Sequence, residues 1–276
     1  MARSPRPIRL LPPSAGPADR ELAAGTAMLA GLEQIAAPVM RWHTIDTPAV
    51  LLGMSQQIAQ VDGGAALAGG YSVHRRQSGG GIVVSDPSLL MLDLALPHED
   101  PLASSDLTES YRWLGEVLAD AMRALGADAR VVGIDEARAD TRALDALLRR
   151  ICFAGRSPYE VLVGERKLVG LAQVRRRAGA LFQAGVYLRW APWRTAAVVG
   201  VAPEERGALA ERLEARVAGL DGRGASAAAV ERAVERALRE RAGLCPTPGE
   251  WRPDELAALE EAATRYAALR PSAEGA

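Results

Sequence analysis

The sequence predicts an α+β fold, a mixed or antiparallel sheet flanked by helices, on three observations. First, Asp19–Ile35 has the apolar spacing and residue types of an amphipathic helix and stops near Pro38. Second, short apolar runs bounded by turn residues recur at Val39–Ile45, Ala49–Leu52, Tyr71–Arg76, Ile82–Val84 and Leu89–Leu96. A second group, Tyr159–Val163, Lys167–Arg175 and Ala180–Leu188, reads as a meander with Gly164-Glu165 as one turn. Third, the chain becomes Ala/Arg/Glu-rich after Pro203, with amphipathic helices expected at Glu204–Leu220, Ser226–Gly243 and Asp254–Leu269. Strands and helices in separate runs mark the α+β class.

Between the strand groups, Ser105-Asp106 can cap a helix reaching about Leu125, with Tyr111, Leu114, Leu118, Met122 and Leu125 on one face. Asp135–Arg150 reads equally as helix or surface loop. Five prolines in residues 1–17 suggest an irregular tail. The expected organisation is therefore a tail over 1–17, one main domain over 18–200, and a helical extension over 201–276 packed on that domain. No internal repeat is visible.

Composition narrows the function. The 276 residues are 49% apolar, ample for a large core. A net charge of −1 and only 4% aromatic residues argue against a nucleic-acid binder, which needs cations for phosphates or rings for bases. No run of about 18 apolar residues suggests a membrane span, and Met1–Pro13 lacks the apolar centre of a secretory signal. Cys152 and Cys245 are the only cysteines, too few for a disulfide framework and without zinc-type spacing. The expectation is a soluble protein of a reducing compartment, the cytoplasm.

Of 33 basic residues, 32 are arginine and one is Lys167, while asparagine is absent. Pressure toward GC-rich codons explains the bias. A lysine that persists under it marks a place where a compact ammonium with an adjustable pKa does what a planar guanidinium cannot.

Four segments could carry chemistry. Arg75-Arg76-Gln77-Ser78-Gly79-Gly80-Gly81 joins two strands; it is either a backbone cradle with two arginines for an anion, or a hairpin with solvated arginines. Lys167 opens the strand Lys167-Leu168-Val169-Gly170-Leu171-Ala172-Gln173, pointing into a cleft beside the small Gly170 and Ala172 or lying exposed on an edge. Cys152, next to Phe153, is either a small buried hydrophobe or, near a cation, a thiolate nucleophile toward acyl groups. Arg175-Arg176-Arg177 is a solvated turn or a patch for an acidic partner. Cys245 reads as structural. His43, His74 and His98 have no metal spacing and read as surface or packing residues, with His74 a weak ligand contact.

These segments together resemble the lipoate-protein ligase A and octanoyltransferase family, whose catalytic fold is shared with biotin protein ligases. The family's RR-x-S/T-GG-G loop stands as Arg75–Gly81, and its lysine strand, followed by basic residues, as Lys167–Arg177. Arg41-Trp42 and Leu52-Gly53 with Gln56 are similar to further family elements, so the likeness spans roughly Val39 to Leu188. Cys152-Phe153 with Tyr159-Glu160 resembles the C-F…Y-E stretch of the cysteine-dependent octanoyltransferases.

The resemblance implies a ligase-like catalytic domain over 18–200 and a two-step acyl transfer. Cys152 would take an octanoyl (or lipoyl) group from acyl carrier protein and pass it to a lysine of a lipoyl domain or glycine-cleavage H protein. Lys167 would polarise the thioester carbonyl and favour the thiolate. Arg75, Arg76, Ser78, Gly79, Gly80, Gly81, Gly170, Ala172 and Gln173 would bind substrate. No metal and no cofactor is implied for the transferase; ATP and magnesium enter only for the alternative, a ligase working through lipoyl-adenylate. Further alternatives are a silent relative that binds a partner, and a biotin ligase. This chain departs from the pattern at Leu171 (usually Ser), at Ala184 and Ser85 (often His), and in lacking an Asn-containing start to the first helix.

Overall fold

The computed structural model describes residues 5–221 and 225–270. The chain runs β1 (Arg6–Leu10), β2 (Ser14–Gly16), α1 (Ala18–Gln34), β3 (Val39–Ile45), β4 (Ala49–Leu52), α2 (Gly63–Ala68), β5 (Ser72–Arg75), β6 (Val83–Ser85) and β7 (Leu89–Pro97). It continues through α3 (Arg112–Ala124), β8 (Ala129–Val131), α4 (Ile134–Ala143), β9 (Val161–Val163), β10 (Arg166–Arg176) and β11 (Gly179–Tyr187). The last third holds α5 (Pro192–Val198), α6 (Arg206–Glu214), α7 (Ala227–Ala237), β12 (Leu244–Pro248) and α8 (Pro253–Ala263).

The main sheet is mixed, in the order β12-β1-β3-β7-β11-β10-β9-β8, with β2 beside β3. From β3 to β8 every neighbour is antiparallel, whereas β12, β1 and β3 run parallel. A small sheet, β5-β4-β6, faces it. The largest core cluster packs Leu114, Val117, Leu118 and Met122 of α3 and Val230, Val234 and Ala237 of α7 against Leu92, Leu94, Phe182 and Val186 of the main sheet. A second cluster lies under the small sheet and takes in Ala196 and Val198 of α5 and Leu209 and Leu213 of α6. In α1, Ala23, Ala24, Gly25 and Ala27 are buried; such small residues let the helix axis approach its neighbours closely.

The expected sheet class and most of its strands are present, and the differences have physical causes. Residues 6–10 and 14–16 are strands rather than tail. Pro7 is tolerated because β1 pairs with β3 only from Arg9 onward, so its missing amide faces no strand, while Pro246 and Pro248 lie on the edge strand β12. The region after Pro203 is accordingly not all helix, since β12 completes the main sheet. The helix expected from Ser105 starts at Arg112, because Asp106 spends its carboxylate on the amides of Thr108 and Glu109 in a separate turn. Asp135–Arg150 resolves into α4 plus a short 3-10 turn at Leu148–Arg150. Among the described residues, no helix is long and apolar enough to cross a membrane.

Candidate active site

Strand register builds the floor of an apolar slot. His43, Met91, Gly185 and Gly170 stand directly across from one another on β3, β7, β11 and β10. Two residues along, Arg41, Asp93, Gln183 and Ala172 form a parallel row. Alternate strand residues share a face, so both rows point the same way. Leu22 of α1 and Leu51 and Val83 of the small sheet also line the slot, a cavity of about 80 Å³. Glycine at 170 and 185 leaves the floor bare, and the Phe153 ring occupies that space: a Cβ at Gly170 would lie 3.2 Å from it.

Cys152 sits where this slot meets a second, more polar cleft of about 620 Å³. Its amide donates to the Ile82 carbonyl (2.9 Å), and Ile82 bridges Ile151, so the cysteine is pinned to the strand following the glycine loop. The loop fits closely against it. A Cβ at Gly81 would lie 2.6–2.7 Å from the backbone of Arg150 and Cys152, and one at Gly80, whose φ is +92°, would lie 3.3 Å from the sulfur. Only glycine meets both demands.

The two arginines of the loop hold it together. Arg76 is buried and donates to the carbonyls of Leu51 (2.9 Å), Gly79 (2.8 Å) and Gly81 (2.8 Å) and to Ser78 Oγ (3.2 Å). Burial pulls its pKa down, and the neighbouring Cys152 opposes that. Arg75 lies outside both cavities and donates to the carbonyls of Gly53, Met54 and Gln56. The Arg76 guanidinium has every nitrogen engaged and is not free to clamp an anion as a bidentate fork, whereas Arg75 makes its three bonds through Nη1 alone. Their work is to tie down carbonyls of a loop with few side chains of its own.

Lys167 is also displaced from its expected place. It is 2% exposed and lines neither cavity. Its ammonium donates to the Cys152 carbonyl (2.9 Å), pairs with Glu160 Oε2 (2.7 Å), and lies 5.7 Å from the centroid of Phe153. A bulge in β10 between Lys167 and Val169 and a bonded exchange with Arg216 and Ala218 set its backbone. Glu160 is 1% exposed and accepts from the amides of Ser157 (2.6 Å) and Leu171 (3.3 Å); burial pushes its carboxyl up against Lys167 and those amides. Tyr159, just before it, adopts φ +67°, and Gly115 of α3 leaves the room this needs, because a Cβ there would meet the Tyr159 carbonyl at 2.1 Å.

The remaining expected residues divide between the cavities. Ser78 and Gly170 line the slot, Gly79, Gly80, Gly81 and Gln173 line the cleft, and Ala172 lines both. Gln173 donates to the Leu107 carbonyl (2.9 Å), closing the cleft wall. Leu171 faces both cavities and Ala184 the slot. Arg175 lines the cleft, while Arg176 donates to Gln77 (2.8 Å).

Sequence reasoning did not foresee the inner end of the slot. Glu21, His43 and Asp93 line it, with Arg41 behind them, and all four are buried. Arg41 donates to Asp93 (3.0 and 2.7 Å) and to Glu21 Oε2 (2.5 Å), and Gln183 donates to Asp93 (2.8 Å). Burial alone would raise the Asp93 carboxyl; Arg41, His43 and Gln183 outweigh it and hold it well below the usual carboxylate range. The signals in the sequence were the family-like Arg41-Trp42 pair and the charges of Arg41 and Asp93 inside runs that otherwise read as buried strands.

Comparison with known proteins agrees with this architecture. The model of the lipoyl protein ligase A/B catalytic domain matches residues 18–239. Octanoyltransferase LipM of Kyrpidia tusciae is 31% identical over 84% of this chain and 85% of its own. The enzyme of the same name from Moorella thermoacetica is 28% identical over 84% of each. Among solved structures, a bi-partite lipoate protein ligase from Thermoplasma acidophilum superposes with a TM-score of 0.75 at 23% identity, covering 96% of this chain and 93% of that one. Fold, matched span and relatives concur: the chain belongs to the lipoyl protein ligase A/B catalytic domain family.

Proposed function

We propose that this protein is an octanoyltransferase of protein lipoylation that works through a Cys152 thioester. The observation that carries the cysteine route is the position of Cys152 at the one junction of an apolar slot with an open polar cleft. The slot suits a medium acyl chain, and the cleft gives the sulfur access to a carrier arm or an acceptor lysine. The relatives named as octanoyltransferases support the acyl group.

In the first half-reaction the Cys152 sulfur attacks the carbonyl carbon of octanoyl-acyl carrier protein. The bond to the carrier sulfur breaks, and the carrier thiol leaves with the Cys152 proton. In the second, a neutral lysine amine of a lipoyl domain or glycine-cleavage H protein attacks the acyl-enzyme, forms the amide and returns a proton to the Cys152 sulfur. Arg76, whose charge interacts with Cys152, offsets negative charge on the sulfur at both stages. Lys167 acts through the Cys152 carbonyl, as a positioning residue, rather than on the thioester itself. Because the thioester is already activated, the transfer calls for no cofactor, and a cytoplasmic location is part of the same proposal. Cys152 also favours this route over the lipoyl-adenylate one, which has no use for a nucleophile at this junction.

The test is mass spectrometry of the protein after incubation with octanoyl-acyl carrier protein. An octanoyl adduct on Cys152, and a fall in transfer of about four orders of magnitude in Cys152→Ala, are expected. Full transfer by Cys152→Ala would overturn the cysteine route, and lipoate-dependent pyrophosphate release would support the ligase instead.

A further inference from the structure

Most of the described arginines pair with a carboxylate. Those around the mouth of the polar cleft do not. Arg149 lines the cleft, and its described bond goes to the Thr141 carbonyl (3.0 Å). Arg175 lines it from β10 and donates to Gln173 Oε1 (3.1 Å) and to the Ser104 carbonyl. Arg176 is exposed and reaches the glycine loop through Gln77 (2.8 Å). Arg177, also exposed, has no ion pair among the described residues.

The acids nearby leave this charge in place. Of the carboxylates lining the cleft, Asp140 pairs with Arg156 and Arg216, and Glu160 with Lys167. Asp106, whose carboxylate feels Arg175, is bonded to the amides of Thr108 and Glu109. Unpaired charge of one sign at a cleft mouth draws in and orients a partner of the other sign. Apolar surface is exposed beside it. Leu107 (58% exposed) lines the cleft, and the amide of Met54 (61% exposed) donates to the Ser78 carbonyl (3.0 Å) of the glycine loop.

We infer that this rim, formed by Arg149, Arg175, Arg176 and Arg177 with Met54 and Leu107, is the docking surface for the acidic carrier protein that delivers the acyl thioester. This rests on the transferase reading and assigns the rim to its first half-reaction. The donor presents an acidic surface and a neutral thioester on a phosphate-bearing arm, so the rim attracts it throughout its approach. The acceptor must bring in a lysine ammonium, which a set of guanidiniums repels.

The experiment follows octanoyl adduct formation on Cys152 by mass spectrometry from two donors. One is octanoyl-acyl carrier protein; the other is octanoyl-pantetheine, which has neither phosphate nor protein. The rate from the carrier is expected to fall about tenfold in the double variant Arg149→Gln with Arg177→Gln, and further when both become Glu. In the wild type it should also fall as salt rises above about 0.15 M. Octanoyl-pantetheine is expected to react within about twofold of the wild-type rate in both variants, which also reports that they are folded. Equal losses with the two donors, or no loss with the carrier, would overturn the docking surface alone. So would a loss confined to transfer from the acyl-enzyme to a lipoyl domain, which would give the rim to the acceptor. Absence of an adduct from either donor in the wild type would overturn the transferase reading and the docking surface with it.

Discussion

Two groups of buried charges flank the acyl slot, and they solve the same problem differently. Behind Cys152, one ammonium meets one carboxylate: Lys167 and Glu160 pair at 2.7 Å, and the ammonium's other described bond goes to the Cys152 carbonyl. At the inner end, one guanidinium spans two carboxylates, with Arg41 reaching both Glu21 and Asp93. The difference follows from shape. Three convergent groups spread around a plane suit the Arg41 fork, whereas the space between the Cys152 carbonyl, Glu160 and the Phe153 ring admits only a compact, rotatable charge. In a chain that uses arginine for every other base, this accounts for the single lysine better than direct participation in chemistry does.

The pair is the more fragile of the two, because removing one member leaves the other wholly uncompensated. Lys167→Met is expected to destabilise the protein by about 3–5 kcal/mol in urea unfolding, whereas Lys167→Met with Glu160→Leu should recover most of that loss. If the double variant is no more stable than the single one, the lysine contributes something other than pairing.

A contrast of similar kind lies within the glycine loop. Gly81→Ala forces a Cβ into backbone 2.6–2.7 Å away, while the Cβ of Gly79→Ala meets nothing within 4 Å. The first is expected to cost about 2–3 kcal/mol of stability and to shift Cys152, and the second to stay within about 0.5 kcal/mol. Thermal unfolding of the two variants separates a loop held by its packing from one that is merely flexible.

The smallest expected effect is on pH dependence, where the two clusters differ in sign. The Asp93 carboxyl titrates below its ordinary value, so its contribution is present above about pH 4 and is lost as the pH falls toward its folded value. Glu160 titrates above its ordinary value, so it favours the fold at acid pH and its contribution declines as the pH rises through about 4.5. Urea midpoints measured from about pH 6 down to pH 3 should therefore show Asp93→Asn losing less stability on acidification than wild type, and Glu160→Gln losing more. Equal slopes in both variants would show that the clusters are electrostatically alike.

Much of this protein was legible in its residues. Apolar periodicity located α1, β3, β4 and the β9–β11 meander, because a strand or helix that buries one face must carry its period in the sequence. The loop Arg75–Gly81, Cys152 and Lys167 stood out by residue type and spacing and resembled one family, to which the chain belongs. Other elements left no such mark. β1 and β12 are rich in proline and exist through each other, and α2 and α5 are too short for a period to show.

The direction of a charged side chain was likewise beyond one-dimensional reading. Arg75 and Arg76 look like anion ligands in the sequence and turn out to bind carbonyls; Lys167 looks like a cleft residue and is sealed behind the cysteine. His43, Asp93 and Glu21 are far apart along the chain and meet only because β3 and β7 are neighbours and α1 lies across them. Sequence by itself determined the class of fold and the family and singled out Cys152, since these rest on local period and residue chemistry. Only the tertiary structure decided what each charge faces, because a buried charge is satisfied by groups that strand register and packing bring to it from elsewhere in the chain.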